Sequence, residues 1–158
     1  MASINIKVDQ FTVQYMLKSI DLDTPLMLPL NPYSVELSLE IPDELAPFVP
    51  AYIKGFSGTD PEAAEARIIP EYNAPRETVK KWKDILIRDY PDSFIPSTKP
   101  DMIIDSAIGC TLEDAIKDSL ETLWDETLEA QLNASPEIPE GYRKGTRFIN
   151  LVKWSVVQ

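Results

Sequence analysis

The chain opens on a strict alternation of apolar and polar positions. Ile4, Ile6 and Val8 alternate with Asn5, Lys7 and Asp9. The apolar parity then switches, and Phe11, Val13, Tyr15 and Leu17 alternate with Thr12, Gln14 and Met16. A period of two predicts strands with one buried face, and a switch of parity requires either a tight turn at Asp9–Gln10 or a bulge within one long strand. A short helix over residues 11–20 is the alternative. Residues 34–41 predict a further strand, with Val35, Leu37, Leu39 and Ile41 on one side and Glu36, Ser38 and Glu40 on the other. Such alternation suits an antiparallel sheet with one solvated face.

The middle of the chain changes to helical spacing. Residues 43–56 accommodate a short helix broken by Pro47 and Pro50. Residues 75–90 predict a longer one, with Pro75 in its first turn and Pro91 just past its end. Its buried stripe is Val79, Trp82, Ile85, Leu86 and Tyr90, and Glu77–Lys81, Lys80–Asp84 and Asp84–Arg88 are spaced to pair along its surface. Residues 102–104 read as a short strand. Residues 111–132 predict the longest helix: Thr111 caps it, and Glu113 and Asp114 favour the positive end of its dipole. Leu112, Ile116, Leu120, Leu123, Trp124, Thr127 and Leu128 form its apolar stripe, and Pro136 and Pro139 stop it. The last strand, 146–157, is apolar on both faces (Phe148, Val152, Trp154 and Val156 against Ile149, Leu151 and Val157), which places it centrally in a sheet. Truncating it is then expected to unfold the protein. The expected architecture is α+β: a mostly antiparallel sheet of N-terminal strands plus the C-terminal strand, packed by two main helices, in a single globular domain over 1–158.

Length and composition fit that picture. A chain of 158 residues buries roughly 68–70% of the surface its unfolded form exposes, enough for a core without disulfides or metal. Cys110 is the lone cysteine, so an intramolecular disulfide is impossible. No basic segment followed by an apolar block opens the chain, and no apolar run approaches the ~18 residues of a membrane span. These features lead us to expect a cytoplasmic protein with no membrane partner.

Charge sharpens the functional question. The net charge is −11, unevenly placed: residues 100–140 carry eleven acids against Lys117 alone, whereas 141–158 carry four bases and no acid. An acidic chain repels a phosphate backbone, which counts against generic nucleic-acid binding.

Absences remove several chemistries. The chain has no histidine, which excludes Ser-His-Asp and Cys-His catalysis and imidazole-dependent metal sites. Gly55-Phe56-Ser57-Gly58 lacks the length and the Lys-Ser/Thr of a phosphate-binding loop. Cys110, placed just before the expected helix at 111, has the position of an activated thiol but no base. Asp21 with Asp23, and Asp101 with Asp105, have the residue type for a Mg²⁺ or acid–base pair, although their spacing matches no calcium loop. No cofactor and no metal ligand set is expected.

Two constellations stand out. Asp114, Asp118, Glu121, Asp125 and Glu129 follow one another by four, three, four and four, which places them on one helix face opposite the apolar stripe. Like charges at that spacing destabilise a helix, and Lys117 offsets only part of the cost. The face suits docking on a basic protein, mimicry of a nucleic-acid backbone, or plain solvation. The second is the basic, aromatic-flanked segment 141–148, with Tyr142, Arg143, Lys144 and Arg147. It suits either contact with single-stranded nucleic acid or an intramolecular contact with the acidic helix. The expected function is therefore non-enzymatic protein binding, as an accessory subunit, adaptor or inhibitor docking on a basic partner. The alternatives are a nucleoprotein-complex subunit contacting RNA or DNA, a nucleic-acid mimic, and a carboxylate- or metal-dependent enzyme.

Overall fold

The parity switch at Asp9 and Gln10 is a bulge inside one continuous strand. The computed structural model describes residues 1–20, 26–28, 30–55, 68–91, 99–134 and 136–157. In it β1 runs Ala2–Ser19, followed by the short β2 (Leu26–Met27) and by β3 (Asn31–Ile41). Val8 lies opposite Val35 and Phe11 opposite Tyr33, so three steps along β1 match two along β3. That extra residue returns Phe11, Val13, Tyr15 and Leu17 to the face already occupied by Ile6 and Val8, and all six are buried. The helix expected as an alternative over 11–20 is overturned, because these residues are extended and paired on both edges.

The sheet is antiparallel throughout and has four strands. β1 pairs with β2 and β3, and on its other side with β4 (Tyr142–Val157). The central strand is therefore β1, and the expectation that the last strand is central is corrected: among the described residues β4 pairs with β1 alone. Its apolar residues seemed to occupy two faces because one parity was read through an irregular strand. Opposite the β1 bulge the register passes from Leu151 to Trp154, so Ile149, Leu151, Trp154 and Val156 share the covered side. Phe148, Val152 and Val157 are left more than 40% exposed.

Helices cover one face of the sheet. A 3₁₀ turn at Ala46–Phe48, which holds Pro47, leads into α1 (Val49–Gly55); Pro50 does not break the helix as expected but sits in its first turn, where its missing N–H costs nothing. α2 spans Arg76–Asp89 with Pro75 at its N-cap, and it buries Trp82 and Leu86. Its surface charges pair both outside and within the helix: Lys81 with Glu44 before α1, and Arg88 with its neighbour Asp89. α3 spans Pro100–Leu123 and packs on β3, β4 and α2. It starts eleven residues before the expected position, so the strand at 102–104 and the cap at Thr111 are both corrected. Ile104, Ile108, Leu112, Ile116 and Leu120 recur every four residues and are all essentially fully buried. Gly109, inside α3, is a contact point: a Cβ there would lie 3.2 Å from the Tyr52 hydroxyl of α1.

The end of the long helix departs from α geometry. Trp124–Leu128 form a π-helical turn, and Glu129–Gln131 close the element as α4. Asn133 then adopts a positive φ of 49° and turns the chain away. No helix among the described residues is long and apolar enough to cross a membrane.

Candidate functional site

The acidic helix face and the basic strand meet. A second bulge makes this possible. Tyr15 lies opposite Arg147 but Leu17 lies opposite Lys144, so β4 spends three steps where β1 spends two. Gly145 sits in this bulge, and a Cβ on it would come within 2.2 Å of the Met16 carbonyl oxygen. Only glycine fits there. Lys144 and Arg147 would point to opposite faces of a regular strand, and the inserted residue brings both to the helix side.

Their partners belong to the predicted stripe. The Arg147 guanidinium donates to the carboxylates of Glu121 and Asp125. Arg147 is only 15% exposed, whereas Glu121 and Asp125 remain 45% and 65% exposed. The hydrogen bond from Arg147 holds the Asp125 carboxyl below the usual carboxylate range, and the two carboxylates raise the arginine further. Lys144 Nζ donates to both oxygens of Glu129, at 2.9 and 3.2 Å. Burial alone would lower the Lys144 pKa, but its bonds to Glu129 and Tyr15 raise it overall.

This polar seam continues into the core. The Trp124 indole N–H donates to the Tyr15 hydroxyl at 2.7 Å, and that hydroxyl donates to Glu129 at 3.2 Å. Lys144 Nζ also lies 4.7 Å from the centre of the Tyr15 ring. Trp124 packs against Tyr33 at 5.4 Å and edge-on to Phe11 at 6.2 Å between ring centres. Beside these rings lies a cavity of about 290 Å³. Val13, Tyr15 and Trp124, all buried, line its inner part, and the exposed Asn31, Asn133 and Glu137 line its solvent side.

Asp114 accepts a hydrogen bond from the hydroxyl of Tyr90, the residue that caps the C-terminus of α2. Burial first, then the Asp114 bond and charge, push that phenol well up. Asp118 has no partner among the described residues. The stripe thus divides into Glu121, Asp125 and Glu129, joined to β4, and Asp114 and Asp118, on the other part of α3. The basic segment divides as well: Lys144 and Arg147 turn to the helix, whereas Arg143, opposite Lys18, is exposed and Tyr142 is half-buried beside Ser19.

Other candidates find different roles. Cys110 lies inside α3 rather than before its N-terminus, and burial, reinforced by Glu113 and Asp114, pushes its thiol up. That overturns the activated position. Asp101 accepts from the Tyr72 backbone N–H at 3.0 Å, and the buried Asp105 accepts from the Tyr72 hydroxyl. Together they fasten the segment before α2 onto α3. Asp21, Asp23 and Phe56-Ser57-Gly58 lie outside the described residues. Among the described residues no three acidic or cysteine side chains converge as a metal site would require. Sequence reasoning missed the cavity, whose walls come from four separated segments of the chain; Trp124 and Pro136 were legible only as a core residue and a helix stop.

No family model matches the chain, and no curated protein or solved structure matches it either.

Proposed function

We propose that this protein acts by binding rather than catalysis, docking on a protein with a basic surface through the solvent-facing side of α3 and the π-turn after it. The observation that carries this reading is the charge left over once the internal pairs are made. From Glu113 to Glu129 the helix bears seven acids and one base, and β4 returns only Lys144 and Arg147 to it. Glu113, Asp118 and Glu126 are exposed and have no partner among the described residues. Clustered like charge of this kind costs helix stability and gains association rate and selectivity when a partner of opposite charge approaches.

The internal pairs also change which residues test the idea. Reversing Glu121 or Asp125 would break the seam with β4, so loss of binding there would report on folding. Asp118→Lys combined with Glu126→Lys leaves the seam intact. A basic partner retained by the wild-type protein at low salt is expected to be released by high salt and by the double variant. A partner held equally by wild type and double variant, at any salt, sinks the proposal. The rival contact with RNA or DNA through the basic segment loses support, because Lys144 and Arg147 are occupied by carboxylates.

A further inference from the structure

The face of the sheet turned away from the helices carries the opposite charge to theirs. Leu17 is buried, so Lys18 after it points outward, directly opposite Arg143 of β4. Trp154 is likewise buried, and Lys153 before it is exposed opposite Gln10. None of these three bases has a partner among the described residues. Lys7, by contrast, lies 3.8 Å from Asp9 and opposite Glu36. The unpaired positive charge therefore lies along β1 and β4, and Phe148, exposed opposite Gln14, stands between Arg143 and Lys153. Like charges set directly opposite one another destabilise a strand pair. Lys18 and Arg143 thus repeat the problem of the acids on α3 with the sign reversed. The helices cover one side of the sheet, so the two unpaired charges stand on opposite sides of the molecule, and no contact within one chain can join them.

We propose that the basic partner of α3 is a second copy of this chain, whose outer sheet face receives the acidic helix face with Phe148 at the centre of the contact. The inference rests on the docking reading above and names its partner. Dimensions agree: a helix about 10 Å across covers two strands about 4.8 Å apart. From Lys18 to Gln10 β1 extends about 27 Å, and from Glu113 to Glu126 the helix extends about 20 Å, a difference within the reach of lysine and arginine side chains. An exposed aromatic among bases is also the make-up of an interface core and its rim. Each copy bears a net charge of −11, but exposed charges more than about 8 Å apart are largely screened at physiological salt, whereas those meeting across a contact are not. A nucleic-acid strand fits less well, since it carries a charge every ~3.4 Å and three separated bases neutralise few of them. Because two different surfaces meet, every dimer keeps one of each kind free, and the contact continues into a ring or a filament.

The test is sedimentation velocity of the full chain from about 1 to 300 μM, at about 0.15 M and about 1 M salt. Species larger than one chain are expected to grow with concentration at the lower salt. At the higher salt, where the Debye length falls to about 3 Å, association should weaken at least roughly tenfold. Lys18→Glu with Arg143→Glu, and separately Asp118→Lys with Glu126→Lys, should each weaken it at least roughly tenfold as well. The first pair keeps like charges opposite one another, so the balance within the sheet is unchanged. An equimolar mixture of the two variants should associate again, because each retains the face that the other has lost, and a folding defect would not be rescued in this way. If Lys18→Glu with Arg143→Glu fails to fold, Phe148→Ser with Lys153→Glu takes its place. A wild-type chain that stays monomeric throughout overturns the inference, as does a mixture no more associated than its components. A monomeric chain that still retains a foreign basic protein, released by Asp118→Lys with Glu126→Lys, leaves the docking reading standing and removes the second copy as its partner. A monomeric chain that binds single-stranded RNA, and loses it with Lys18→Glu and Arg143→Glu, gives the outer face to a nucleic acid and overturns the inference too.

Discussion

Lys144 and Arg147 stand three residues apart on an antiparallel strand and nevertheless bind the same helix, Lys144 through Glu129 and Arg147 through Glu121 and Asp125. The bulge at Gly145 makes the two compatible by shifting side-chain parity between them. It converts a basic stretch of sequence into an internal seam that ties the edge strand β4 to the end of the long helix.

Gly145→Ala is therefore expected to destabilise the fold. The new Cβ would sit 2.2 Å from the Met16 carbonyl oxygen, which is backbone and moves only with the strand. Forced overpacking of this kind costs about 1–3 kcal/mol, or a Tm about 2–12 °C lower for a chain of this size. Thermal denaturation followed by circular dichroism measures it, and an unchanged Tm would show that β4 does not carry this bulge.

Arg147→Met should cost about 1–2 kcal/mol, since two charge-assisted hydrogen bonds are lost but both carboxylates remain open to water. Arg147→Lys should recover less than half of the loss, because a single ammonium cannot reproduce the planar fork that reaches two carboxylates. Urea denaturation of both variants, with Asp125→Asn to close a double-mutant cycle, checks the assignment. Additive losses would mean that the pair contributes nothing.

Tyr15→Phe removes one hydroxyl and leaves the buried Trp124 N–H without its acceptor. An orphaned buried donor costs about 1–3 kcal/mol. Trp124→Phe made on top of Tyr15→Phe should then cost less than Trp124→Phe alone, since the first change has already broken the chain of bonds to Glu129. Equal costs in the two backgrounds would show that these groups are uncoupled.

The titrating groups of this region predict a stability plateau with an edge on each side. Asp125 has a depressed folded pKa, so its contribution is present above its unfolded value and fades as pH falls through about 4 and below. Lys144, Tyr33 and Tyr90 have raised folded pKa values, so their contributions are present below about pH 10 and fade above it as they deprotonate. Urea midpoints should be flat from about pH 5 to pH 9 and fall outside that window. Arg147→Met should flatten the acid edge, because the hydrogen bond that depresses Asp125 is gone, and Tyr90→Phe should flatten part of the alkaline one.

Much of the architecture is legible residue by residue. Period-two alternation identified β1 and β3 and the faces they bury, and the four-residue recurrence from Leu112 to Leu128 identified the body of the helix. Periodicity reports burial because each element covers only one side, so local pattern carries the information directly. The parity switch at Asp9 and Gln10 was legible as an irregularity, though choosing the bulge over the turn required the pairing of β1 with both neighbours.

The tertiary structure decided what depends on contacts between distant segments. The stretch before Thr111 reads as a short strand and a junction in sequence and is helix in the fold, where α3 runs unbroken from Pro100. β4 looks central but among the described residues pairs with β1 alone, and register irregularities, which gather Leu151, Trp154 and Val156 on one face, explain its two-faced pattern. The acidic stripe and the basic segment were each visible, but their union was not. It rests on a bulge whose need for glycine comes from a carbonyl 129 positions earlier in the chain. The cavity is the extreme case, since its walls belong to strands, a π-turn and a loop that become neighbours only when the chain has folded. Amino-acid pattern along one element determines what that element hides from water, whereas strand pairing and side-chain packing determine which groups meet.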